Sequence, residues 1–345
     1  MGTLGFGLIG CGAVAEVHAD ALSRVVGARL VGVMAPRLEK ARAFAEKHRV
    51  DFATDSLDAL LARPDLDAVC ITTPSGAHLE PALAAIKAGK HLVVEKPLEI
   101  TVDRVDQMLH AAREGQRQLA AIFQARFGAG ARTLKAAIDA ERFGRLVLCS
   151  AYVKWHRTAE YYRVNWRGTQ ALDGGGALMN QGIHAVDLLQ WLVGMPEEVF
   201  AWTTRCVHTD IEVEDTACAA LRFPNGARGV IEASTAVFPG FSRRIEICGE
   251  KGSAILEDDR ITAWQFRETR PEDAAILAHD GASFGSGAVA PNQISSHGHQ
   301  LQLQDFVDAL KEGRSPFIHG NEARNAVAMV CALYASARSG HPVRI

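Results

Sequence analysis

No apolar stretch of this chain runs unbroken for the ~18 residues that a membrane-crossing helix needs. Its seven cysteines (11, 70, 149, 206, 218, 248 and 331) include no Cys-x-x-Cys pair. The first absence speaks against a helical membrane anchor, the second against a zinc cluster. An odd number of cysteines, most of them in apolar runs, also speaks against a disulfide framework, so a reducing, cytoplasmic setting is expected. Lys and Arg nowhere gather into a stripe, and 37 basic against 40 acidic side chains leave a net charge of −3. Nucleic acid and anionic membrane are therefore not expected as partners. The opening MGTLGFGLIG lacks a basic segment and a long apolar core, and reads as a first strand rather than a leader.

What remains is a chain of 345 residues, 48% hydrophobic and 22% charged, which suits two globular domains of unequal character. In the first third, apolar runs (4–10, 29–34, 67–72, 90–95 and 118–123) alternate with helical patterns at about 13–26, 37–48, 76–88 and 101–114. Apolar strands, each followed by a helix, predict a parallel sheet covered on both faces: a Rossmann domain over residues 1–123. After a helix at about 127–141 the runs lengthen and partly alternate. Pro-Asn-Gly at 224–226 and Gly-Glu-Lys-Gly at 249–252 mark turns between them. Residues 124–345 thus predict a second α/β domain with an open, mainly antiparallel sheet. A helix at 176–192 is inserted early, and helices at about 299–312 and 320–339 close the chain. Residues 270–298, without periodicity, predict a long loop.

Gly10-Cys11-Gly12-Ala13-Val14-Ala15 follows the first strand and opens the first helix, the G-x-G-x-x-A form of the dinucleotide fingerprint. Gly10 makes the turn, Gly12 admits a pyrophosphate to the backbone beside Ala13 and Val14, and Ala15 lets the helix pack closely. An acidic residue at the end of the second strand would favour NAD, but the position near Ala35 has none. Arg37 and Lys40 follow, either facing a 2′-phosphate or simply solvated; NADP is slightly favoured and NAD stays open. Thr72-Thr73-Pro74-Ser75, with His78 one turn on, ends a strand at the edge where such sheets bind ligands, and suits cofactor contact. Glu95-Lys96-Pro97 ends the next. Proline restricts the backbone before it, so Lys96 has a defined direction, and a Lys near a nicotinamide can lower the pKa of a substrate hydroxyl.

In DGGGALMNQGIHAVDLLQWL (173–192), Asn180, His184 and Asp187 fall at i, i+4 and i+7 on one helical stripe. These pieces together resemble the Gfo/Idh/MocA family of nicotinamide-dependent oxidoreductases, which act mostly on sugars and cyclitols. The resemblance spans essentially the whole chain. It rests on GLIGCGAVAEVHADAL, TPSGAHLEPALAAIKAGKHLVVEKP, QARF, GGGALMNQGIHAVDLLQWL and ARNAVAMVCALYASARSG. It implies an open second sheet that mediates a homodimer or homotetramer. Lys96 and His184 would stand at the reacting centre, and Trp166-Arg167 near the cofactor together with Glu95. Many members have Asp where this chain has Asn180. The form Asn-Gln-Gly-Ile-His resembles a subgroup of nucleotide-sugar 3-dehydrogenases.

The catalytic set expected is therefore Lys96, His184 and Asn180, with Lys96, Arg126, His156, Tyr162, Asn180 and His184 at a sugar or cyclitol substrate. Asp187 is expected to cap a backbone or pair with a basic side chain. His297 and His299, read as loop residues without further ligands, predict no metal site. Two rivals to a sugar or polyol dehydrogenase stand: a UDP-sugar 3-dehydrogenase, and a cofactor-binding regulator without catalysis.

Overall fold

The computed structural model describes residues 2–164, 166–278 and 295–345, which form two compact units. The first comprises Met1–Gln124 and Ser296–Arg324. Its strands are β1 (Leu4–Ile9), β2 (Ala28–Met34), β3 (Ala53–Thr54), β4 (Ala68–Ile71), β5 (His91–Val94) and β6 (Leu119–Ala121). They lie in the order β3-β2-β1-β4-β5-β6, every pair parallel, the order of a dinucleotide-binding fold. Helices α1 (Ala13–Leu22), α2 (Leu38–His48), α3 (Leu57–Leu61), α4 (Leu79–Lys87) and α5 (Val102–Glu114) connect them. The strands are apolar almost throughout because helices cover the sheet; Phe6, Leu8, Val33, Cys70 and Val93 form the core with Ala15, Ala19 and Leu22 of α1.

The second unit comprises Ala125–Ser295 and Asn325–Ile345. It begins with α6 (Ala129–Asp139) and β7 (Leu146–Lys154), then α7 (Ala159–Tyr162) and α8 (Ile183–Val193). Strands β8 (Glu198–Thr204), β9 (Thr216–Arg222), β10 (Arg228–Ser234), β11 (Arg244–Gly249), β12 (Gly252–Glu257) and β13 (Arg260–Phe266) follow, then α9 (Asp273–Ala278). The sheet order is β13-β12-β11-β7-β10-β9-β8-β14, where β14 is Val343–Arg344. Among the described residues only β7 and β10 pair in parallel, so the sheet is mainly antiparallel, as the alternation predicts. No described helix is long and apolar enough to cross a membrane.

Three differences from expectation have physical causes. The helix α10 (His297–Glu312) falls within the sequence span expected for the second domain, yet its stripe Leu303, Phe306, Val307 and Leu310 packs into the first unit's core. Residues 124–345 are therefore not one unit: the chain returns to the first, and leaves it again within α11 (Gly320–Ser339). The helix expected from residue 176 opens instead with a π-type turn, Ala177–Gly182, before α8. Of the loop expected at 270–298, residues 273–278 are α9 and 279–294 lie outside the described residues.

Candidate active site

In the first unit β1, β4 and β5 are sheet neighbours, and the candidate residues stand on the turns that leave them. The chain reverses at Gly10, whose φ of +103° is one that glycine tolerates; a Cβ there would meet the Thr72 carbonyl oxygen at 2.9 Å. Gly12 caps α1, where a Cβ would meet nothing within 4 Å. The first turn, Ala13 and Val14, thus starts beside open space, and buried Ala15 lets α1 lie on the sheet. A dinucleotide's pyrophosphate fits such a place: the free N–H groups of a helix start and the helix dipole favour an anion, and no described side chain fills it.

Thr72 Oγ1 donates to the carbonyl oxygens of Ile9 and Gly10 at 3.1 and 3.0 Å, tying the β4 turn to the glycine turn. Thr73, Pro74 and Ser75 continue it, and Thr73 Oγ1 donates to the Ala77 carbonyl at 2.9 Å. His78, expected against the cofactor, is buried, with its ring nitrogens 3.0 Å from the carbonyl oxygens of Pro97 and Thr73. Burial holds its pKa below the usual value. It joins the β4 turn to the β5 turn instead of facing a ligand. At the end of β2, Ala35 is buried, while Arg37 and Lys40 are exposed about the start of α2.

Glu95, also expected at the cofactor, points into the unit. His18 Nε2 lies 2.8 Å and His299 Nε2 3.3 Å from its Oε1, and its Oε2 accepts the Lys96 backbone N–H at 3.1 Å. Burial raises the Glu95 pKa, but the hydrogen bonds of the two histidines outweigh it and hold the carboxyl well below its usual range. His299 is thus not an isolated loop residue: it lies in α10 and meets His18 and Glu95, the one described group whose donor atoms could hold a metal ion. Lys96 itself is half-buried.

In the second unit the start of α8 is built on glycines. A Cβ at Gly176 would lie 1.8 Å from the Glu214 carbonyl oxygen, so only glycine lets the two backbones approach. The Glu214 carboxylate then accepts the N–H groups of Gly176 (3.0 Å) and Leu178 (2.8 Å), and Tyr334 Oη donates to it at 2.9 Å. This frame holds the π-type turn that carries Asn180, with His184 following in α8, half-buried.

Asn180 Nδ2 donates to Asp173 Oδ1, whose other oxygen accepts the Gly168 N–H at 2.8 Å. Gln181 Nε2 donates to Asn180 Oδ1 (3.2 Å) and Tyr161 Oη (2.8 Å), and its Oε1 accepts from Arg157 Nη2 at 2.7 Å. The Arg167 guanidinium lies over the Tyr161 ring at 4.1 Å and over its neighbour Trp166 at 5.5 Å. Asn180, Trp166 and Arg167 therefore share one network through Gln181 and Tyr161. Tyr162 instead bonds Thr235 at 2.8 Å, and His156, at the end of β7, packs edge-on against Phe238 at 5.4 Å.

Sequence reasoning missed Asp173, Arg157 and Glu214; Asp173 had a signal, standing directly before the glycines. Asp187 pairs with a basic side chain as expected, but the partner is Arg126. Arg126 donates from Nε at 2.8 Å and Nη2 at 2.6 Å, the two side chains being 1% and 0% exposed. A guanidinium so enclosed is a structural strut, which corrects the expectation of Arg126 at the substrate.

The family profile described as "Oxidoreductase family, NAD-binding Rossmann fold" matches residues 4–123, and "GFO/IDH/MocA C-terminal domain" matches 131–255. The chain belongs to the Gfo/Idh/MocA family. As a member it is a nicotinamide-dependent oxidoreductase. Among solved structures it is similar to the WlbA dehydrogenase of Bordetella pertussis in complex with NADH and UDP-GlcNAcA. The two are 33% identical, with TM-score 0.89 and 99% of each chain covered. Among curated relatives it is similar to the myo-inositol 2-dehydrogenase of Thermotoga maritima, 28% identical over 98% of both chains. It is also similar to the 1,5-anhydro-D-fructose reductase of Ensifer adhaerens, 30% identical over 72% of this chain and 74% of that one.

Proposed function

We propose that the enzyme transfers a hydride between a nicotinamide cofactor and a ring hydroxyl or ketone of a sugar or cyclitol. A bound nicotinamide supplies the hydride acceptor or donor. His184 takes the proton of the reacting hydroxyl, or returns it in reduction. Lys96 donates a hydrogen bond to the same oxygen and stabilises the alkoxide character that grows on it. Asn180 orients the reacting group, its own amide fixed by Asp173 on one side and Gln181 on the other. Gly10, Gly12, Ala13, Val14, Thr73, Pro74, Ser75, Trp166 and Arg167 hold the cofactor; His156 and Tyr162 serve the substrate.

The observation that carries this reading is that Lys96 and His184 both stand in their family motifs on hydrogen-bonded supports, the Glu95-Lys96-Pro97 turn and the glycine-framed start of α8. A regulator that only binds cofactor needs neither side chain. The UDP-sugar reading is favoured by one specific feature, the Asn180-Gln181 network with Arg157 and Arg167, together with likeness to a dehydrogenase solved with UDP-GlcNAcA. Two guanidiniums around Tyr161 suit an anionic sugar or a diphosphate.

The lean to NADP gains no support, since the Bordetella relative carries NADH and exposed Arg37 and Lys40 fit solvated helix residues; we propose NAD. We further propose that the open face of the second unit's sheet mediates a homodimer or homotetramer. The test is a panel of cyclitols, free sugars and UDP-sugars, each run with NAD and NADP. Turnover of at least one class with NAD is expected. Tight NADH binding without turnover across the panel would favour the regulator instead.

A further inference from the structure

Three buried side chains from three elements converge behind Lys96. His18 comes from α1, Glu95 from the end of β5 and His299 from the first turn of α10, and they are 0%, 5% and 3% exposed. Both Nε2 atoms address one oxygen, Glu95 Oε1, at 2.8 and 3.3 Å, and the other oxygen accepts the Lys96 N–H. The donor atoms of the three side chains lie within 4.8 Å of one another, so either a metal ion or hydrogen bonds could unite them.

The outer nitrogens discriminate. A histidine that ligates a metal through Nε2 carries its proton on Nδ1 and almost always donates it to a carbonyl, carboxylate or water. Among the described residues neither Nδ1 of His18 nor Nδ1 of His299, both buried, has a protein hydrogen-bond partner. Metal ligation would leave two orphaned N–H groups in the interior, which is rare and costly. With the protons on Nε2, the orphaned atoms are bare lone pairs, and the carboxylate receives three N–H donors: His18, His299 and Lys96. On the far side of the Lys96-Pro97 bond, His78 meets the Pro97 carbonyl, so the turn is held from both ends.

We propose that His18, Glu95 and His299 form a hydrogen-bonded clamp without a metal, both imidazoles neutral and protonated on Nε2, that fixes the Lys96 backbone and thereby aims its ammonium. The three are positioning residues. Their effect on turnover rests on the dehydrogenase reading; their protonation and metal content do not.

Long-range proton–nitrogen NMR correlation on histidine-labelled enzyme at neutral pH tests the clamp directly, with His18→Gln and His299→Gln assigning the two rings. Two imidazoles with a bare Nδ1 and a protonated Nε2 are expected, and elemental analysis should find no stoichiometric metal. Either a metal bound one per chain or a proton on Nδ1 would overturn the clamp. Kinetics use myo-inositol or UDP-N-acetylglucosaminuronate, whichever the wild type turns over. His299→Leu, which removes the donor, should lower kcat by roughly 10- to 100-fold, as a misplaced catalytic group does. NADH affinity and substrate KM should stay within about 3-fold, and His299→Gln, which restores an N–H donor, should recover most of the rate. A folded His299→Leu with the wild-type kcat would overturn the positioning role. If the wild type turns over nothing in the panel, the dehydrogenase reading fails, while the NMR and metal results still judge the clamp.

Discussion

Asp187 and Arg126 show what one residue's surroundings do to its role. From the sequence, Arg126 is expected at the substrate, and Asp187 at a backbone cap or paired with a basic side chain. Their bidentate contact is fully enclosed, so each neutralises the other and neither faces a ligand. Removing one partner breaks a buried, bidentate charge pair, at a cost of about 3–5 kcal/mol. Asp187→Ala should therefore lower the midpoint of urea unfolding markedly; a midpoint equal to wild type would show the pair to be dispensable. Sequence spacing placed Asp187 on the stripe with His184, but which of three polar side chains on a stripe meets solvent depends on a strand-distant partner that spacing does not reveal. Asp173 is the converse case. It precedes the glycines in plain sight, and its bond to Asn180 exists because the chain between them doubles back.

At the scale of elements, the strands and helices of the first unit were legible because their burial writes itself into apolar runs and helical periods. The destination of α10 was not. Its stripe announces a helix with one apolar face, but an apolar face does not say which core it enters, and this one joins Phe6 and Leu22. The π-type turn was hidden for a similar reason: the Glu214 carboxylate and the close backbone contact at Gly176 shape it from 38 residues away. The elements α1, β5 and α10 meet at groups whose charge depends on pH. Burial lowers the pKa of His18 from its usual 6.5, and likewise that of His78, while hydrogen bonding outweighs burial and lowers Glu95 from its usual 4.5. In each case the unfolded chain takes up a proton more readily than the folded one, so stability is lost as pH falls. The histidines act from about pH 6.5 downward, and Glu95 adds a further loss below about 4.5. Chemical denaturation between pH 7 and 4 should show this decline, and Glu95→Gln should flatten its lower part; a stability that rises on acidification would contradict the assignment.

For the whole molecule, the motifs located the fold class and family because each motif is a local answer to a local demand, a turn, a close approach or a fixed lysine. Assembly is less local. The second unit's sheet leaves Trp202 of β8 64% exposed, opposite exposed Cys218 on β9. An aromatic of that size on an open sheet suits a partner copy. If the proposed assembly uses this face, Trp202→Glu should shift the enzyme toward a smaller species in light scattering; an unchanged mass would count against the proposal.

In the proposed reaction His184 moves the proton of a ring hydroxyl while a nicotinamide exchanges its hydride. Steady-state turnover of wild type and His184→Ala, on the substrate that the panel selects, tests it most directly. A fall in kcat of at least about 100-fold is expected, the range of a lost general base, with NADH binding retained. A His184→Ala enzyme that binds NADH and keeps the wild-type kcat would contradict it.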